Sequence, residues 1–485
     1  MKMILTHFPP LQILIPFIGA LLTTLSFNRR AAQIIAISSA ILSLILSIYV
    51  YISLKLPVFY AFGNWPAPIG IEYRIDNLNQ PVIIFFNSIL LFFLINGYQL
   101  INLTITRHIE TNKQHIFYSL LLFAHVGFLG VVSTNDLFNI YVFIEISSLA
   151  TYVLISKGSS SRALIGAFDY LLIGTIGATL ILIGIGFLFA LTGSLNITDI
   201  ANILAKLDSN RLIITAIAFF ITGAILKMAF FPMHFWLLRA YLATAPFMLT
   251  YFGGISSIFG IYIILRFVYF VSPNEYIWQV LFSYLKPFAL ITIICCSYLA
   301  LRALDFKKVI IYSSAAQIGY IFLLLTINDA KVILFQLLVL DAINKIALFT
   351  IVAHLQNANK DLTFANFPHI EGNLLFKILI FLSLIFSSGL PITSMFLVKI
   401  NMLSILIDKN LLLEFILVTF ASGLGLLYHL KLGRAVFFGS SNTQIIRIET
   451  KLYGLIVIIL IQIFSLIYIN DIAMIAACAE STILN

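Results

Sequence analysis

Charged residues are scarce in this chain. Asp, Glu, Lys and Arg make up 10% of its 485 residues, whereas hydrophobic residues make up 61%. A soluble protein carries about 25% charged residues, because its surface must be hydrated. The scarcity therefore excludes a soluble multidomain protein and predicts an integral membrane protein that crosses the lipid bilayer many times.

Cysteine is nearly absent as well. Cys295 and Cys296 are adjacent within one apolar segment, and Cys478 stands alone. This spacing fits neither a metal site nor a disulfide framework, and the sequence has no Gly-x-Gly-x-x-Gly loop for a dinucleotide. We therefore expect the chain to hold no metal, no iron–sulfur cluster and no other cofactor.

Clusters of basic residues are also missing, although the formal net charge is +9. Lys and Arg are scattered through short loops, so nucleic acid is not an expected partner. They lie mainly in loops that follow odd-numbered predicted spans, which by the positive-inside rule predicts both termini outside the cytoplasm. The expected location is the bacterial inner (plasma) membrane, and an organellar inner membrane is the less favoured alternative.

Long apolar runs fill most of the chain. They predict an all-α, polytopic membrane protein with about 14 transmembrane helices, each long enough for the bilayer. No soluble domain separates them, and the longest interruption, 55–80, is rich in Pro and Gly and is predicted to be a loop. The predicted spans are 11–28, 31–54, 81–103, 115–133, 137–156, 162–192, 212–241, 246–271, 278–301, 309–327, 331–355, 374–407, 411–437 and 452–477.

Two of these spans are too long for one straight helix, and each contains a proline. Pro232 lies within 212–241, and Pro391 follows Gly389 within 374–407. Proline breaks a helix, and paired breaks in two halves indicate inverted repeats, although two ordinary proline kinks are an alternative. The predicted regions are 1–114 for N-terminal helices and a loop, 115–271 for the first inverted repeat, 272–440 for the second inverted repeat, and 441–485 for a C-terminal helix.

Ionisable residues inside the spans are the candidate functional groups. A charge near the bilayer centre costs roughly 2.5–3.5 kcal/mol, so each should face protein or a water-filled cavity. Asp341 and Lys345 are four residues apart and can pair on one helix face. One pair alone would favour a static ion pair, but several such positions favour a proton relay bridged by water. The other candidates are Glu145, Lys227, Lys286 and Lys399, with His125, Asp169 and His234 less central.

Four segments, in order along the chain, resemble the antiporter-like proton-translocating subunits of respiratory NADH:quinone oxidoreductase and of Mrp-type multisubunit cation/proton antiporters. The resemblance extends from residue 57 to residue 440, and GNWPAPIGIEYRID (63–76) is most similar to the D subunit of the Mrp antiporters. The four segments are STNDLFNIYVFIE (133–145), LKMAFFPMHFWL (226–237), RALDFKKVIIYSSAAQIGYIF (302–322) and GLPITSMFLVK (389–399).

The resemblance implies a role for each candidate. Glu145 would be the acid of the fifth span that modulates Lys227 on the broken seventh span. Lys345 would be the relay lysine of the eleventh span, and Lys399, on the broken twelfth span, would exchange protons with the outside. His234 would lie near a polar cavity after the first break.

The sequence departs from the family pattern in three places, one of which is LRAY (238–241), where the family has Pro-Asp-Ala-His. The lysine or histidine that the family carries in the eighth span is Ile258 here, within GGISSIFGIY (253–262). The neighbouring Ser256 and Ser257 can hold water but carry no charge. In the eleventh span, Asp341 replaces a histidine of the family pattern.

The function that these features predict is transport. We expect a membrane subunit of a multisubunit Na⁺/H⁺ antiporter, not an enzyme by itself, that translocates protons through the Glu/Lys relay. Its expected partners are other membrane subunits of a hetero-oligomer, H⁺, Na⁺ and the lipid bilayer. Two alternatives stay open: a proton-pumping subunit of a redox complex like NADH:quinone oxidoreductase, and a degenerate paralogue whose proton path is incomplete at Ile258.

Overall fold

Helices make up most of the protein, which confirms the all-α fold. The computed structural model describes residues 7–158, 162–207, 211–271, 275–359, 361–370, 373–438, 445–446 and 451–484. Numbered in chain order, the helices are α1 (Phe8–Leu25), α2 (Arg29–Ser53), α3 (Asn79–Asn96), α4 (Tyr98–His108), α5 (Gln114–Ser133), α6 (Leu137–Ser156), α7 (Ala163–Thr192), α8 (Ile197–Leu204), α9 (Arg211–Lys227), α10 (Phe235–Ala243), α11 (Met248–Val271), α12 (Glu275–Arg302), α13 (Phe306–Leu325), α14 (Lys331–Ala358), α15 (Leu374–Ser388), α16 (Ser394–Asp408), α17 (Leu412–Phe437), α18 (Tyr453–Ile467) and α19 (Ile469–Leu484). The short strands are β1 (Val58–Ala61), β2 (Glu72–Ile75), β3 (His369–Ile370) and β4 (Ile445–Ile446).

Many of these helices are able to cross a membrane. In the described part of the chain, 11 are long and apolar enough, or 12 if α18 and α19, which are bent by 76° at their junction, form one span. The polytopic membrane protein is confirmed, but the predicted count of about 14 is not. The difference arises where a predicted span is divided into two shorter helices: α9 and α10 in 212–241, α15 and α16 in 374–407, and α18 and α19 in 452–477.

The first predicted break separates α9 from α10. Helix α9 ends at Lys227, and Ala229 has a positive φ of 57° in the non-helical stretch that contains Pro232. The indole Nε1 of Trp236 donates a hydrogen bond of 3.0 Å back to the carbonyl of Leu226. A carbonyl that the break releases is therefore satisfied inside the protein, as the hydrocarbon of a bilayer requires.

The second predicted break separates α15 from α16. Helix α15 ends at Ser388, and Gly389 follows with a φ of 74°, a left-handed conformation that glycine adopts readily. After Pro391, the hydroxyl of Thr393 accepts a hydrogen bond of 3.3 Å from the amide of Phe396 and so caps the start of α16. Both breaks thus have local residues that stabilise the interrupted backbone.

The start of α6 carries a distinctive local pairing. Asp136 caps the helix with its side chain. On either side of it, the amide of Leu137 donates to the carbonyl of Leu195 and the amide of Ile197 donates to the carbonyl of Asn135, both at 2.9 Å. These bonds attach the segment that follows α7 to the start of α6.

The start of α13 repeats this pairing in the same register. Asp305 caps the helix with its side chain. The amide of Phe306 donates to the carbonyl of Leu362 at 3.0 Å, and the amide of Phe364 donates to the carbonyl of Leu304 at 2.9 Å. Here the segment that follows α14 is attached to the start of α13.

The division into two repeats is a proposal that these matched pairings support. Each broken segment is also the fourth of the five spans predicted for its repeat. The proposed boundary after residue 271 lies at the edge of the described residues, and the one between 440 and 441 falls outside them.

The predicted loop 55–80 contains a hairpin that the sequence did not predict, in which β1 pairs antiparallel with β2. Asp76, directly after β2, is fully buried. Its carboxylate accepts a hydrogen bond of 2.6 Å from Nη1 of Arg266 and forms an ion pair with Arg74, whose Nε lies 3.1 Å away. Because Arg266 lies near the end of α11, this buried cluster fixes the hairpin to the helix bundle.

Candidate proton-translocation site

The predicted relay residues are distributed over both proposed repeats. Three of them, Lys227, Asp341 and Lys345, line one row of small cavities. The elements that carry the six residues are α6 for Glu145, the end of α9 for Lys227, the turn before α10 for His234, α14 for Asp341 and Lys345, and α16 for Lys399.

Lys227 ends α9 beside the middle of α6. Its ammonium Nζ donates a hydrogen bond of 3.0 Å to the hydroxyl of Ser148. Glu145 lies three residues before Ser148, and residues three apart share a helix face. Among the described residues, no ion pair within 4.0 Å joins Glu145 to Lys227. The direct partner of Lys227 is therefore a hydroxyl group, and the predicted carboxylate lies one helical turn away.

Asp341 and Lys345 form the ion pair that their spacing predicts. Nζ of Lys345 lies 2.5 Å from Oδ2 of Asp341, and both side chains are buried. The same oxygen accepts a hydrogen bond of 3.1 Å from the hydroxyl of Ser257 on α11. A buried pair survives only when further hydrogen bonds satisfy its charges, and Ser257 supplies one of them.

A small polar cavity lies between the two lysines. It has a volume of about 40 Å³, and both Lys227 and Lys345 line it. The side chains of Tyr241, Ser256 and Ser257 line it as well. A water molecule needs roughly 10–15 Å³ of such space and two to four polar partners, so the cavity has room for about three.

Helix α11 presents serine residues to this cavity, and Ile258 points elsewhere. Ile258 is buried and lines a different, apolar pocket of about 220 Å³ together with Leu265 and Phe335. The residues of this segment that line the lysine cavity are Gly253, Ser256 and Ser257. The expectation that Ser256 and Ser257 can hold water therefore agrees with the geometry.

Two further cavities extend the row beyond the lysines. A cavity of about 50 Å³ is lined by Lys227, Ser148 and Thr151. A cavity of about 20 Å³ is lined by Asp341 and Lys345 on the other side. Lys227 therefore lines two of these three cavities, and Lys345 lines the central and the last one. The last cavity is also lined by Ser313, Gln317, Asn344, Tyr428 and His429.

Lys399 and His234 lie apart from this row. Nζ of Lys399 lies 5.4 Å from the centre of the Tyr320 ring and close to the break at Gly389. The ring of His234 is buried and stacks on Phe231, with 5.2 Å between the ring centroids. In the described part of the chain its Nδ1 has no hydrogen-bond partner. The roles that the resemblance implies for these two residues stay predictions.

Sequence reasoning missed two residues that face the row. Ser148 follows Glu145 by three residues, so the helical spacing was the available signal. His429 lies within the predicted span 411–437, where any ionisable side chain is a functional candidate. Its presence in the last cavity depends on how α17 packs against α12, α15 and α16, which the spacing along the chain does not show.

One known protein family matches the greater part of this chain. Residues 134–425, more than half of the chain, match the family described as NADH:quinone oxidoreductase/Mrp antiporter, TM. The chain belongs to this family. The matched region includes Lys227, Asp341 and Lys345 and most of the other residues that line the three cavities.

Curated relatives of this family member include two kinds of subunit. Subunit N of the NADH-quinone oxidoreductase of Desulforudis audaxviator is 36% identical over 334 residues, which cover 67% of this chain and 64% of the relative. The putative antiporter subunit mnhD2 of Staphylococcus aureus is 30% identical over 361 residues, which cover 73% of this chain and 70% of the relative. The chain thus matches about two thirds of the length of these relatives, and the predicted resemblance to both groups is confirmed.

Solved structures share the fold over almost the whole chain. A chain of the membrane-bound sulfane sulfur reductase, an archaeal respiratory membrane complex, superimposes with a TM-score of 0.88 at 22% identity, covering 98% of each chain. A chain of the Mrp complex from Dietzia sp. DQ12-45-1b also gives a TM-score of 0.88, at 17% identity, covering 99% of this chain and 97% of that one. At such low identities the likeness shows the fold alone.

Proposed function

We propose that this family member is the proton-translocating membrane subunit of a multisubunit Na⁺/H⁺ antiporter. The observation that carries the proposal is the polar cavity of about 40 Å³ that Lys227 and Lys345 both line. A few hydrogen-bonded water molecules can pass a proton between two such groups, whereas an apolar helix interior cannot. Protons would cross the subunit along the three cavities that these lysines join.

Each predicted residue has a role in this proposal. Lys227 takes up protons from the cavity of the first repeat, and Glu145 supplies the negative charge nearest to it on α6. Lys345 receives protons across the central cavity, and Asp341 balances its charge. Lys399 keeps its proposed role at the outer end of the path.

The two lysines are expected to act as a coupled pair. Two ammonium groups that border one small cavity of low dielectric constant repel each other more strongly than in water. The hydroxyl of Ser257 donates to Asp341 and so stabilises that carboxylate when Lys345 has released its proton.

Other membrane subunits are the proposed partners, and Na⁺ is the proposed coupling ion. The structural neighbours come from multisubunit membrane complexes, one of them named an Mrp complex. The proposed location is the bacterial inner membrane with both termini outside the cytoplasm. This orientation rests on the positive-inside distribution of Lys and Arg.

A second candidate is a proton-pumping membrane subunit of a redox complex like NADH:quinone oxidoreductase. The specific observation in its favour is the 36% identity to subunit N, compared with 30% for the antiporter relative. The same row of cavities would then conduct protons under the control of redox partners. The chain itself would bind neither NADH nor flavin.

The partners of the native protein distinguish these candidates. The tagged chain would be purified in mild detergent from its own membranes and its companions identified by mass spectrometry. Small membrane subunits without redox proteins support the antiporter. Flavin and iron–sulfur subunits would replace it by the redox candidate, and a chain that is isolated alone would favour a degenerate paralogue.

The relay is tested in the complete complex reconstituted into vesicles. Lys227→Ala and Lys345→Ala are each expected to lower proton flux by at least about tenfold, because each removes a proton-carrying group. The matched control is Lys286→Ala, since Lys286 pairs with Glu414 at 3.4 Å and lines none of the three cavities. Flux measured with a pH-sensitive dye that stays unchanged in both cavity variants would refute the proposed relay.

A further inference from the structure

Two hydroxyl groups border two cavities of the row at once. One is the cavity of about 50 Å³ that Ser148 lines, which we call the first cavity, and the other is the central cavity of about 40 Å³. Tyr241 on α10 and Ser256 on α11 line both of them. Their hydroxyl oxygens lie 3.2 Å apart, and either of them can donate the hydrogen bond. One hydrogen bond therefore joins two groups that face both spaces.

The ammonium group of Lys227 is held on one side of this hydrogen bond. Its Nζ donates to the hydroxyl of Ser148 at 3.0 Å, and Ser148 lines the first cavity but not the central one. Lys345 lines the central cavity but not the first. A proton that the bound ammonium of Lys227 releases must therefore cross from one space to the other before it reaches Lys345.

Few groups are placed to make this crossing. Besides Lys227 itself, the described residues that line both cavities are Tyr170, Tyr241 and Ser256. The ring of Tyr170 stacks on the indole of Trp236, with 4.5 Å between the ring centroids. Tyr241 and Ser256 are the two whose hydroxyls are bonded to each other. The hydrogen-bonded crossing is therefore the Tyr241–Ser256 pair.

Water has room on both sides of this pair. Ser256 is exposed to open space, whereas Ile255 and Ser257, its neighbours on α11, are buried. At roughly 10–15 Å³ for each water molecule, the two cavities each hold a few. Ser148 and Thr151 supply further polar partners in the first cavity, and Ser257 does so in the central cavity. The pair therefore stands between two spaces that are able to hold hydrogen-bonded water.

We propose that the hydroxyls of Tyr241 and Ser256 pass protons from the first cavity into the central cavity. This inference rests on the proposed function and names the groups that connect its two lysines. Water in the first cavity takes a proton from Nζ of Lys227 and gives it to one hydroxyl of the pair. That hydroxyl passes its own hydrogen across the 3.2 Å to the other oxygen. The second hydroxyl releases its hydrogen to water in the central cavity, from which the neutral Nζ of Lys345 takes it up.

The pair carries no charge before or after this transfer. Each oxygen again holds one hydrogen, and rotation of the hydroxyl groups restores the starting orientation. A buried hydroxyl that is hydrogen-bonded costs far less than a buried charge. The titratable side chains that line the two cavities beside the pair are Lys227, Lys345 and Tyr170. The two hydroxyls thus provide a neutral path in a chain that has isoleucine where the family pattern has a charged residue.

The test measures proton flux through the complete complex in vesicles with a pH-sensitive dye. Tyr241→Phe removes one oxygen atom and keeps the ring, and Ser256→Ala removes the other hydroxyl. Each is expected to lower flux by at least about tenfold. The double variant is expected to be no slower than the single ones, because either change breaks the same path. The matched control is Tyr118→Phe, since Tyr118 is a buried tyrosine that lines none of the three cavities and whose hydroxyl has no partner among the described residues.

A rescue separates proton transfer from a structural role. The family pattern has a histidine at the position of Tyr241, and an imidazole both accepts and donates protons. Tyr241→His is expected to recover flux above that of Tyr241→Phe, with a new dependence on pH between about 5 and 8, where an imidazole titrates. Ser256→Thr keeps a hydroxyl and is expected to carry more flux than Ser256→Ala.

The outcomes separate this inference from the proposed function. Loss of flux in Lys345→Ala, Tyr241→Phe and Ser256→Ala supports both. Loss in Lys345→Ala with normal flux in Tyr241→Phe or in Ser256→Ala overturns the hydroxyl path alone, as does an assembled Tyr241→His complex that is no faster than Tyr241→Phe. Normal flux in Lys345→Ala overturns the relay itself. If Tyr241→Phe does not assemble, the two Ser256 variants decide: more flux with threonine than with alanine supports the path, and equal flux overturns it.

Discussion

At the scale of single residues, neutral hydroxyl groups provide the polarity of α11 beside the central cavity. The hydroxyl of Ser256 lies 3.2 Å from that of Tyr241, and the hydroxyl of Ser257 donates to Asp341 at 3.1 Å. A buried hydroxyl costs little once it is hydrogen-bonded, whereas a buried charge costs much more. The family pattern has a charged residue at the position of Ile258. In this chain a space for water, bordered by serine hydroxyls, lies beside that position.

The first prediction concerns Ile258. Since its side chain lines an apolar pocket, Ile258→Lys is expected to place a charge among hydrocarbon at a cost of roughly 2.5–3.5 kcal/mol. Thermal stability in detergent should fall and proton flux should not rise, while Ile258→Met should leave both close to the parent. Faster flux in Ile258→Lys would instead favour a degenerate paralogue with an incomplete path.

Other ionisable residues that the sequence places inside the spans form fixed hydrogen bonds or ion pairs. The ring of His125 bonds to Asn87 through Nε2 and to Tyr251 through Nδ1, both at 2.9 Å. Asp169 pairs with the exposed Arg239 at 3.1 Å. For these residues the geometry favours a structural role, because their polar atoms are already engaged by fixed partners.

At the scale of elements, a buried charge cluster holds the β1–β2 hairpin. Burial alone would raise the pKa of Asp76, but the guanidinium groups of Arg266 and Arg74 lower this pKa below its ordinary value. Because the folded pKa is depressed, the stabilisation is present above the unfolded pKa of about 3.9 and is lost as the pH falls through the folded value.

The second prediction tests this cluster. Asp76→Asn leaves two buried guanidinium groups without their carboxylate, and it is expected to cost about 3–5 kcal/mol of stability at neutral pH. The difference in melting temperature from the parent should begin to shrink below about pH 4 and should disappear as the pH falls through the lower folded pKa of Asp76, where the folded parent loses the same charge. Glu110→Gln is the control, since the ion pair of Glu110 with Lys113 is exposed and is expected to contribute little. Equal melting temperatures of the parent and Asp76→Asn at pH 7 would contradict the prediction.

At the scale of the whole molecule, a buried lysine joins the two proposed repeats. Nζ of Lys307, near the start of α13, donates to the carbonyls of Leu242 and Thr244, both at 3.1 Å. These carbonyls close the C-terminal end of α10, where a positive charge also complements the helix dipole. The second repeat therefore holds in place the half-helix that contributes Tyr241 to the central cavity.

The third prediction follows from this contact. Lys307→Met keeps the length of the side chain but leaves two buried carbonyls unsatisfied, at about 1–3 kcal/mol each. We expect a lower melting temperature in detergent and reduced proton flux, because α10 loses its anchor. The adjacent Lys308 is exposed, so Lys308→Met is the matched control. A Lys307→Met protein as stable as this control would show that the contact is dispensable.

The sequence predicted those features that depend on local spacing. Hydropathy located the helices, the prolines located both breaks, and the four-residue interval located the pair of Asp341 and Lys345. These features could be predicted because the helical period relates neighbouring residues directly. The span count was less certain, since a broken helix and a bent one look alike in a hydropathy profile.

The features that sequence reasoning did not predict depend on how distant elements pack. Glu145 and Lys227 have opposite charges, but their depths on α6 and α9 place Ser148 against the ammonium instead. The central cavity is lined by residues of both proposed repeats, and the access of His429 to the last cavity depends on how α17 packs against α12, α15 and α16. None of these relations follows from spacing along one helix.

The small size of the cavities makes the row a molecular sieve. Spaces of about 50, 40 and 20 Å³ each admit only a few water molecules. A proton needs no more, because it hops along hydrogen bonds and never carries a hydration shell. A sodium ion that keeps its hydration shell does not fit into these spaces. In the proposed antiporter, the sodium pathway would therefore have to lie outside this row. This subunit would then be coupled to the sodium pathway mechanically, without conducting sodium itself.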